Sequence, residues 1–148
     1  MKSIVMVVLL AGLCTGCATT GPMYSTVRNS MPILSQELGR IIFYRPDTLF
    51  GAGMRPDILL DGRKVGASRR GTVFYVDVEP GTHHITVPAV MYPGESKIDI
   101  ALRQNETVYV KTSIGGSSFG GRTNVEVVDS AKASAEIDHL VFVAEPVK

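Results

Sequence analysis

The chain has 148 residues, 15 basic and 14 acidic, for a formal charge of +1. A near-neutral chain lacks the clustered basic footprint that nucleic-acid binding needs. Its two cysteines, Cys14 and Cys17, both stand at the N-terminal end, so residues 18–148 carry no thiol for a disulfide or a thiolate metal site.

The N-terminus has one positive charge, Lys2, an apolar run over residues 4–13, and small residues before Cys17. That is the layout of a secretory signal. The run of about ten residues is half of the roughly 20 needed to span a bilayer. Thr15-Gly16-Cys17 resembles the lipobox of bacterial lipoproteins, in which a cysteine thiolate takes a diacylglyceryl group. Cys14 stands three places before Cys17, where the usual lipobox has Leu, and Leu13 stands one place earlier. Cleavage before Cys14 is the competing reading, but it puts bulky Leu13 against the scissile bond. The resemblance implies lipid attachment at Cys17 and membrane anchoring through two or more acyl chains. In lipoproteins of Gram-negative bacteria a residue other than Asp after the cysteine goes with outer-membrane sorting, so with Ala18 the resemblance implies an outer-membrane protein facing the periplasm. Removal of residues 1–16 takes Lys2 away and leaves 14 bases against 14 acids.

Three segments are expected: a signal peptide over 1–16, a lipidated N-terminus and tether over 17–38, and one folded domain over 39–148. Residues 18–30 are small and polar and contain Gly21-Pro22, which reads as a tether reaching roughly 40 Å when extended. Ser30, Pro32 and Gly39 bracket Ile33, Leu34 and Leu38 as one or two helical turns. From Arg40 the pattern turns to strands. Ile41-Ile42-Phe43-Tyr44 is β-branched and aromatic, stopped by Pro46. Asp61-Gly62 between Asp57-Ile58-Leu59-Leu60 and Lys64-Val65-Gly66 signals a hairpin. Thr72, Phe74, Val76 and Val78 alternate with Val73, Tyr75, Asp77 and Glu79, and Glu79-Pro80-Gly81 turns the chain into His83, Ile85 and Val87. Two further alternating runs follow around Ile100 and Val110, joined by Gln104-Asn105-Glu106. Residues 115–121 form a Gly/Ser loop, and residues 124–128 a strand. Asp129-Ser130 offers an N-cap to a helix with Ala133, Ile137 and Leu140 on one face, and residues 140–143 return as a strand. The expected fold is a mainly β, antiparallel β-sandwich with one short C-terminal helix.

Gly39-Arg40-Ile41-Ile42-Phe43-Tyr44-Arg45-Pro46, Leu60-Asp61-Gly62-Arg63-Lys64-Val65-Gly66, and the run from Gly71 to His83 with Glu79-Pro80-Gly81-Thr82-His83 resemble small bacterial envelope lipoproteins grouped as a domain of unknown function. The middle also resembles PEGA-type repeats, whose Asp-Gly, Val-Gly and Pro-Gly-x-His pattern implies a small β-sandwich. The resemblance covers most of residues 39–143 and brings no catalytic or binding residues with it.

Candidate chemistry is sparse. Gly116-Ser117-Ser118-Phe119-Gly120 matches G-x-S-x-G, with Ser118 as nucleophile and Asp138 and His139 downstream. That elbow requires a strand before it and a helix after it, whereas residues 122–127 read as strand. His83 and His84 are neighbours on a strand and point to opposite faces, which disfavours chelation of one ion; His83, sharing a face with Ile85 and Val87, reads as a partly buried, hydrogen-bonded residue. Glu95, Asp99 and Glu106 form no evident acid–base pair. Arg63, Lys64, Arg69 and Arg70 make a basic stretch suited either to anionic headgroups or to guarding a hairpin edge. Tyr44, Arg45, Met91 and Tyr92 lie beside Pro46 and Pro93, as a recognition surface or as caps on the core. The reading is therefore a non-enzymatic envelope interaction or assembly module without cofactor or metal, partnered by the membrane and by an envelope protein or glycan. The alternatives are a serine hydrolase using Ser118 and a peptidoglycan binder using the face of Tyr75 and Tyr109.

Overall fold

A computed structural model describes residues 19–91, 93–115 and 121–144. The sequence candidates Cys17, Tyr92 and Ser118 lie outside the described residues.

Among the described residues nine strands run in chain order: β1 (Gly39–Arg45), β2 (Asp57–Leu60), β3 (Arg63–Ala67), β4 (Thr72–Val78), β5 (Gly81–Pro88), β6 (Glu95–Leu102), β7 (Thr107–Gly115), β8 (Arg122–Val128) and β9 (Val141–Phe142). They form a five-stranded sheet, β8-β7-β1-β4-β9, and a four-stranded sheet, β3-β2-β5-β6. The fold is mainly β, as the alternation implies, but the larger sheet is mixed: β1 pairs with β7 in parallel and β4 with β9 in parallel. Local alternation specifies a strand and its faces, not the direction of a partner far along the chain.

The central strand β1 explains the continuous apolar run Ile41-Ile42-Phe43-Tyr44. Ile41 and Phe43 enter the core between the sheets with Ile58, Phe74, Ile85, Val87 and Val110. Ile42 and Tyr44 face the other way, into a second core with Val73, Ala133, Ile137 and Leu140. A strand covered on both faces has no need of polar residues on either. Phe43 and Phe74 stack with centroids 5.2 Å apart, a geometry that contributes about 1 kcal/mol beyond area burial.

The second core is roofed by helices. The helix α2 (Ser130–Ile137) starts where Asp129 accepts a hydrogen bond from the Lys132 amide at 2.9 Å, and it buries Ala133 and Ile137. The single turn α1 (Tyr24–Val27) and a 3-10 turn over Arg28–Ser30 complete the layer. Here the sequence expectation is corrected twice. The segment from Pro22 onward is docked rather than extended: Phe142 donates to the Pro22 carbonyl at 2.8 Å, Tyr24 donates to that of Leu140 at 2.8 Å, and the Tyr24 side chain is buried. Tyr24 gives this polar stretch an apolar side chain to bury in the second core, and Met23 adds a backbone bridge to Val141. Nor do Ser30–Gly39 form a helix. Ser30 donates its hydroxyl to the Val27 carbonyl, closing the turn before it, and Met31 is extended (ψ 146°), as a residue preceding proline tends to be. Ile33 is exposed, so the spacing of Ile33, Leu34 and Leu38 marks no buried face.

The hairpin β2–β3 turns through Asp61 (φ 51°) and Gly62 (φ 79°), both left-handed as the Asp-Gly signal requires. In β3, a Cβ on Gly66 would stand 2.5 Å from the Phe74 ring, so the Val-Gly step leaves room for the core aromatic.

Candidate functional site

The strands define two ends of the sandwich. At one, β1, β3, β5 and β7 finish and the loop 46–56 emerges. At the other lie the turns at Asp61-Gly62, Glu79-Pro80 and 103–106. The sequence candidates divide between these ends.

Tyr44 and Arg45 are not a recognition surface. Both are buried, Arg45 to 1% exposure. The guanidinium closes the first end from within. Its Nη1 donates to the carbonyls of Met54 (2.8 Å) and Ser68 (3.1 Å), and its Nη2 to those of Gly51 (2.7 Å) and Phe50 (3.4 Å). Among the described residues no carboxylate pairs with it and its Nε lacks a partner. Burial, together with the charge of Arg70, pulls its pKa below the ordinary arginine value. Carbonyl dipoles thus hold a buried cation, and in doing so fix the shape of the loop.

Tyr44 faces the helical layer and donates to Glu136 Oε2 at 2.7 Å, while Lys111 Nζ approaches both Glu136 oxygens at 2.8 Å. Burial and the hydrogen bond to Glu136 push the Tyr44 phenol well up. Burial works against the Glu136 charge, but the bonds from Lys111 and Tyr44 outweigh it and hold the carboxyl below its usual range. The trio ties β1 and β7 to α2. Lys111 and Glu136 line a cleft of about 470 Å³ together with His139. Asp138 instead accepts from Arg28 at 2.8 Å, so the two downstream residues of the hydrolase pattern are engaged separately.

At the opposite end Asp61 and His83 meet. His83 Nδ1 lies 2.7 Å from Asp61 Oδ2, its Nε2 lies 2.8 Å from the Glu79 carbonyl, and the His84 amide donates to Asp61 Oδ1 at 2.8 Å. Both ring nitrogens face acceptors, so the imidazolium, with two N–H groups, satisfies them together. Burial opposes that charge, yet the bond to Asp61 leads the contributions that raise the His83 pKa. Asp61 is lowered, first by the His84 amide and then by His83. His84 points outward to Asp99 across the β5–β6 pair. The opposite-face expectation for the two histidines holds, and among the described residues no group of three or more His, Cys, Asp or Glu is placed to hold a metal.

The basic stretch is split by β3. Arg63 and Lys64 begin that strand and Arg69 and Arg70 follow its end, about 16 Å apart at strand rise. Lys64 pairs with Asp57 at 2.7 Å. Arg69 and Arg70 join Arg55, Asp47 and Thr19 around a cleft of about 350 Å³. Arg55 was invisible to sequence reasoning because the loop 46–56 brings it across. On the face of Tyr75 and Tyr109 both rings are half-buried: Tyr75 stacks on Phe142 at 6.0 Å with the Arg40 guanidinium 4.1 Å over its ring, and Tyr109 packs against the second core.

The family described as Protein of unknown function (DUF2846) matches residues 35–124. The chain belongs to the DUF2846 family. The match runs from just before β1 into β8, so it takes in Arg45 and its loop, the hairpin turn and the Asp61–His83 contact; α1, α2 and β9 lie outside it. No curated protein and no solved structure matches the chain.

Proposed function

We propose that this DUF2846 chain is a bacterial envelope lipoprotein, held by a diacylglyceryl group on Cys17 at the periplasmic side of the outer membrane, where its sandwich serves as a non-enzymatic interaction or assembly module. The observation that carries the reading is the short join between anchor residue and fold. Pro22, five residues beyond Cys17, is already hydrogen-bonded to β9. Five residues reach at most about 17 Å, so lipid at Cys17 holds the domain against the bilayer. The Thr15-Gly16-Cys17 lipobox resemblance and Ala18 support the address. The Asp61–His83 bond gives the Asp-Gly…Pro-Gly-x-His pattern a structural use, in keeping with the PEGA-type likeness.

The test is intact mass and membrane partitioning of the full-length product beside Cys17→Ser, with in-cell crosslinking of both forms. An acyl mass increment that vanishes in the variant, with an envelope protein crosslinked only by the anchored form, is expected. Unchanged mass and partitioning in Cys17→Ser defeat the anchor. An anchored form that crosslinks to no protein defeats the interaction role.

A further inference from the structure

Which side of the sandwich meets the bilayer follows from where the chain enters it. Two peptide links separate Cys17 from Thr19, so their Cα atoms lie within about 7.6 Å of each other. Thr19 lines the arginine cleft with Arg55, Arg69 and Arg70. Asp47 lines it too and pairs with Arg70. Arg55 and Arg69 have no carboxylate partner among the described residues. Two further acids at this end of the sandwich, Asp57 and Glu95, are taken up by Lys64 and Lys97. The cleft therefore keeps uncompensated positive charge.

The same end carries exposed apolar side chains on two loops. Leu49 (81% exposed) and Phe50 (47%) project from the loop 46–56, and Val90 (45%) and Met91 (62%) from the β5–β6 connection. The register places that connection at this end, because β5 runs antiparallel to β2, whose first residues lie beside Ala67 at the close of β3. The other exposed large apolar residues among those described, Met23, Ile33 and Val127, lie on neither loop. Arginines that bind phosphate, interleaved with side chains that partition into the interface, form a surface suited to an anionic leaflet.

We infer that the end of the sandwich bearing Leu49, Phe50, Val90, Met91 and the Arg55–Arg69–Arg70 cleft is a membrane-contact surface, which seats anionic phospholipid phosphates beside the lipid anchor. The inference rests on the reading of Cys17 as the anchor. It assigns Arg45 a positioning role, since its bonds to the Phe50 and Gly51 carbonyls set the loop that presents Leu49 and Phe50. It also leaves the opposite end, with Asp61 and His83, facing the periplasm.

The experiment uses full-length protein extracted from bacterial membranes, its anchor verified by intact mass, reconstituted into phosphatidylcholine vesicles with or without phosphatidylglycerol. A fluorophore is placed at Phe50→Cys, or at Thr82→Cys on the opposite end, and quenching by a headgroup-depth nitroxide lipid is read. With anionic lipid, quenching at position 50 is expected to exceed that at position 82 several-fold. Arg55→Glu, at an exposed residue, is expected to reduce it while flotation with the vesicles persists. Equal quenching at the two positions overturns the orientation. Quenching at position 50 that ignores both phosphatidylglycerol and Arg55→Glu overturns the arginine–phosphate contact. Protein that does not float with vesicles overturns the anchor reading and this one with it, whereas floating without asymmetry overturns this one alone.

Discussion

The two ends of the sandwich are closed by opposite means. At the turn end, short connections satisfy themselves with surface groups: Asp61 and Glu79 bracket His83, and Glu106 accepts from the Arg103 amide at 2.7 Å. At the loop end, one buried guanidinium gathers four carbonyls from two separate segments. The turn end is stabilised piecewise, so losing one contact leaves the rest in place. The loop end depends most on a single side chain. A long loop with exposed apolar residues can be held still only from inside, because its own side chains contribute little to the core.

The sharpest way to break the contrast is Arg45→Met. Methionine fills much of the volume but leaves the carbonyls of Met54 and Ser68 without their donor, while that of Gly51 keeps the Met54 amide. Each orphaned buried acceptor costs about 1–3 kcal/mol, partly offset by relief of the buried charge, so a net loss of about 3 kcal/mol is expected. Denaturant unfolding measures it. Hydrogen exchange should show the amides of residues 46–56 losing protection first, while those of β5 and β6 near Asp61 keep theirs. Uniform loss of protection contradicts a local pin.

Tyr44→Phe comes next. It removes the hydrogen bond to Glu136 while Lys111 still holds the carboxylate, so about 1.5 kcal/mol is expected, as for a bond to a charged acceptor. The loss should appear in thermal unfolding with loop exchange unchanged, because Tyr44 faces the helices and not the loop. Coupling of this variant to Arg45→Met should be close to additive, since the side chains point to opposite faces of β1.

These adjacent residues show what was legible in the chain. Residues 41–44 read correctly as a strand run stopped by Pro46, because propensity and proline act locally. That Tyr44 and Arg45 are buried was not legible. Arginine is rarely buried, and its burial depends on carbonyls supplied by residues 50–54 and 68. The Asp61-Gly62 turn and the Asp129 cap were legible for the same local reason, and the outward His84 and inward His83 followed from strand alternation. Parallel pairing of β1 with β7 was not, since it joins segments more than sixty residues apart. The arginine cleft was half visible: Arg69-Arg70 as a charge pair, but Arg55 and Thr19 only once the loop and the N-terminal segment had docked.

At the turn end the smaller prediction is Asp61→Ala. It removes the acceptor for the His84 amide and for His83, at a residue with φ 51° that alanine adopts less readily. The carboxylate is partly solvated, which limits the loss to about 1 kcal/mol. Exchange should rise around residues 60–63 and 81–84 and stay unchanged in residues 46–56, the mirror image of Arg45→Met.

The mildest break is a change of pH. The His83 pKa is raised in the folded protein, so its contribution is fully present below the unfolded histidine value near 6.5 and is lost as pH rises through the folded pKa. The Asp61 pKa is lowered, so its contribution is present above the unfolded value of 3.8 and is lost as pH falls through the folded pKa. The two overlap between about pH 4 and 6.5, the window in which the ion pair contributes most. His84 is also raised, by its bond to Asp99, but its solvent exposure leaves it a lesser part of the same trend. Titrating stability from pH 5 to 9 in the parent and in His83→Gln separates them: the decline above pH 6.5 should shrink in the variant. Glutamine keeps a donor for one acceptor but has no charge to lose. A decline of equal size in both proteins would assign the pH dependence to groups other than His83, and would leave the Asp61 bond to the His84 amide as the contact that holds the hairpin turn.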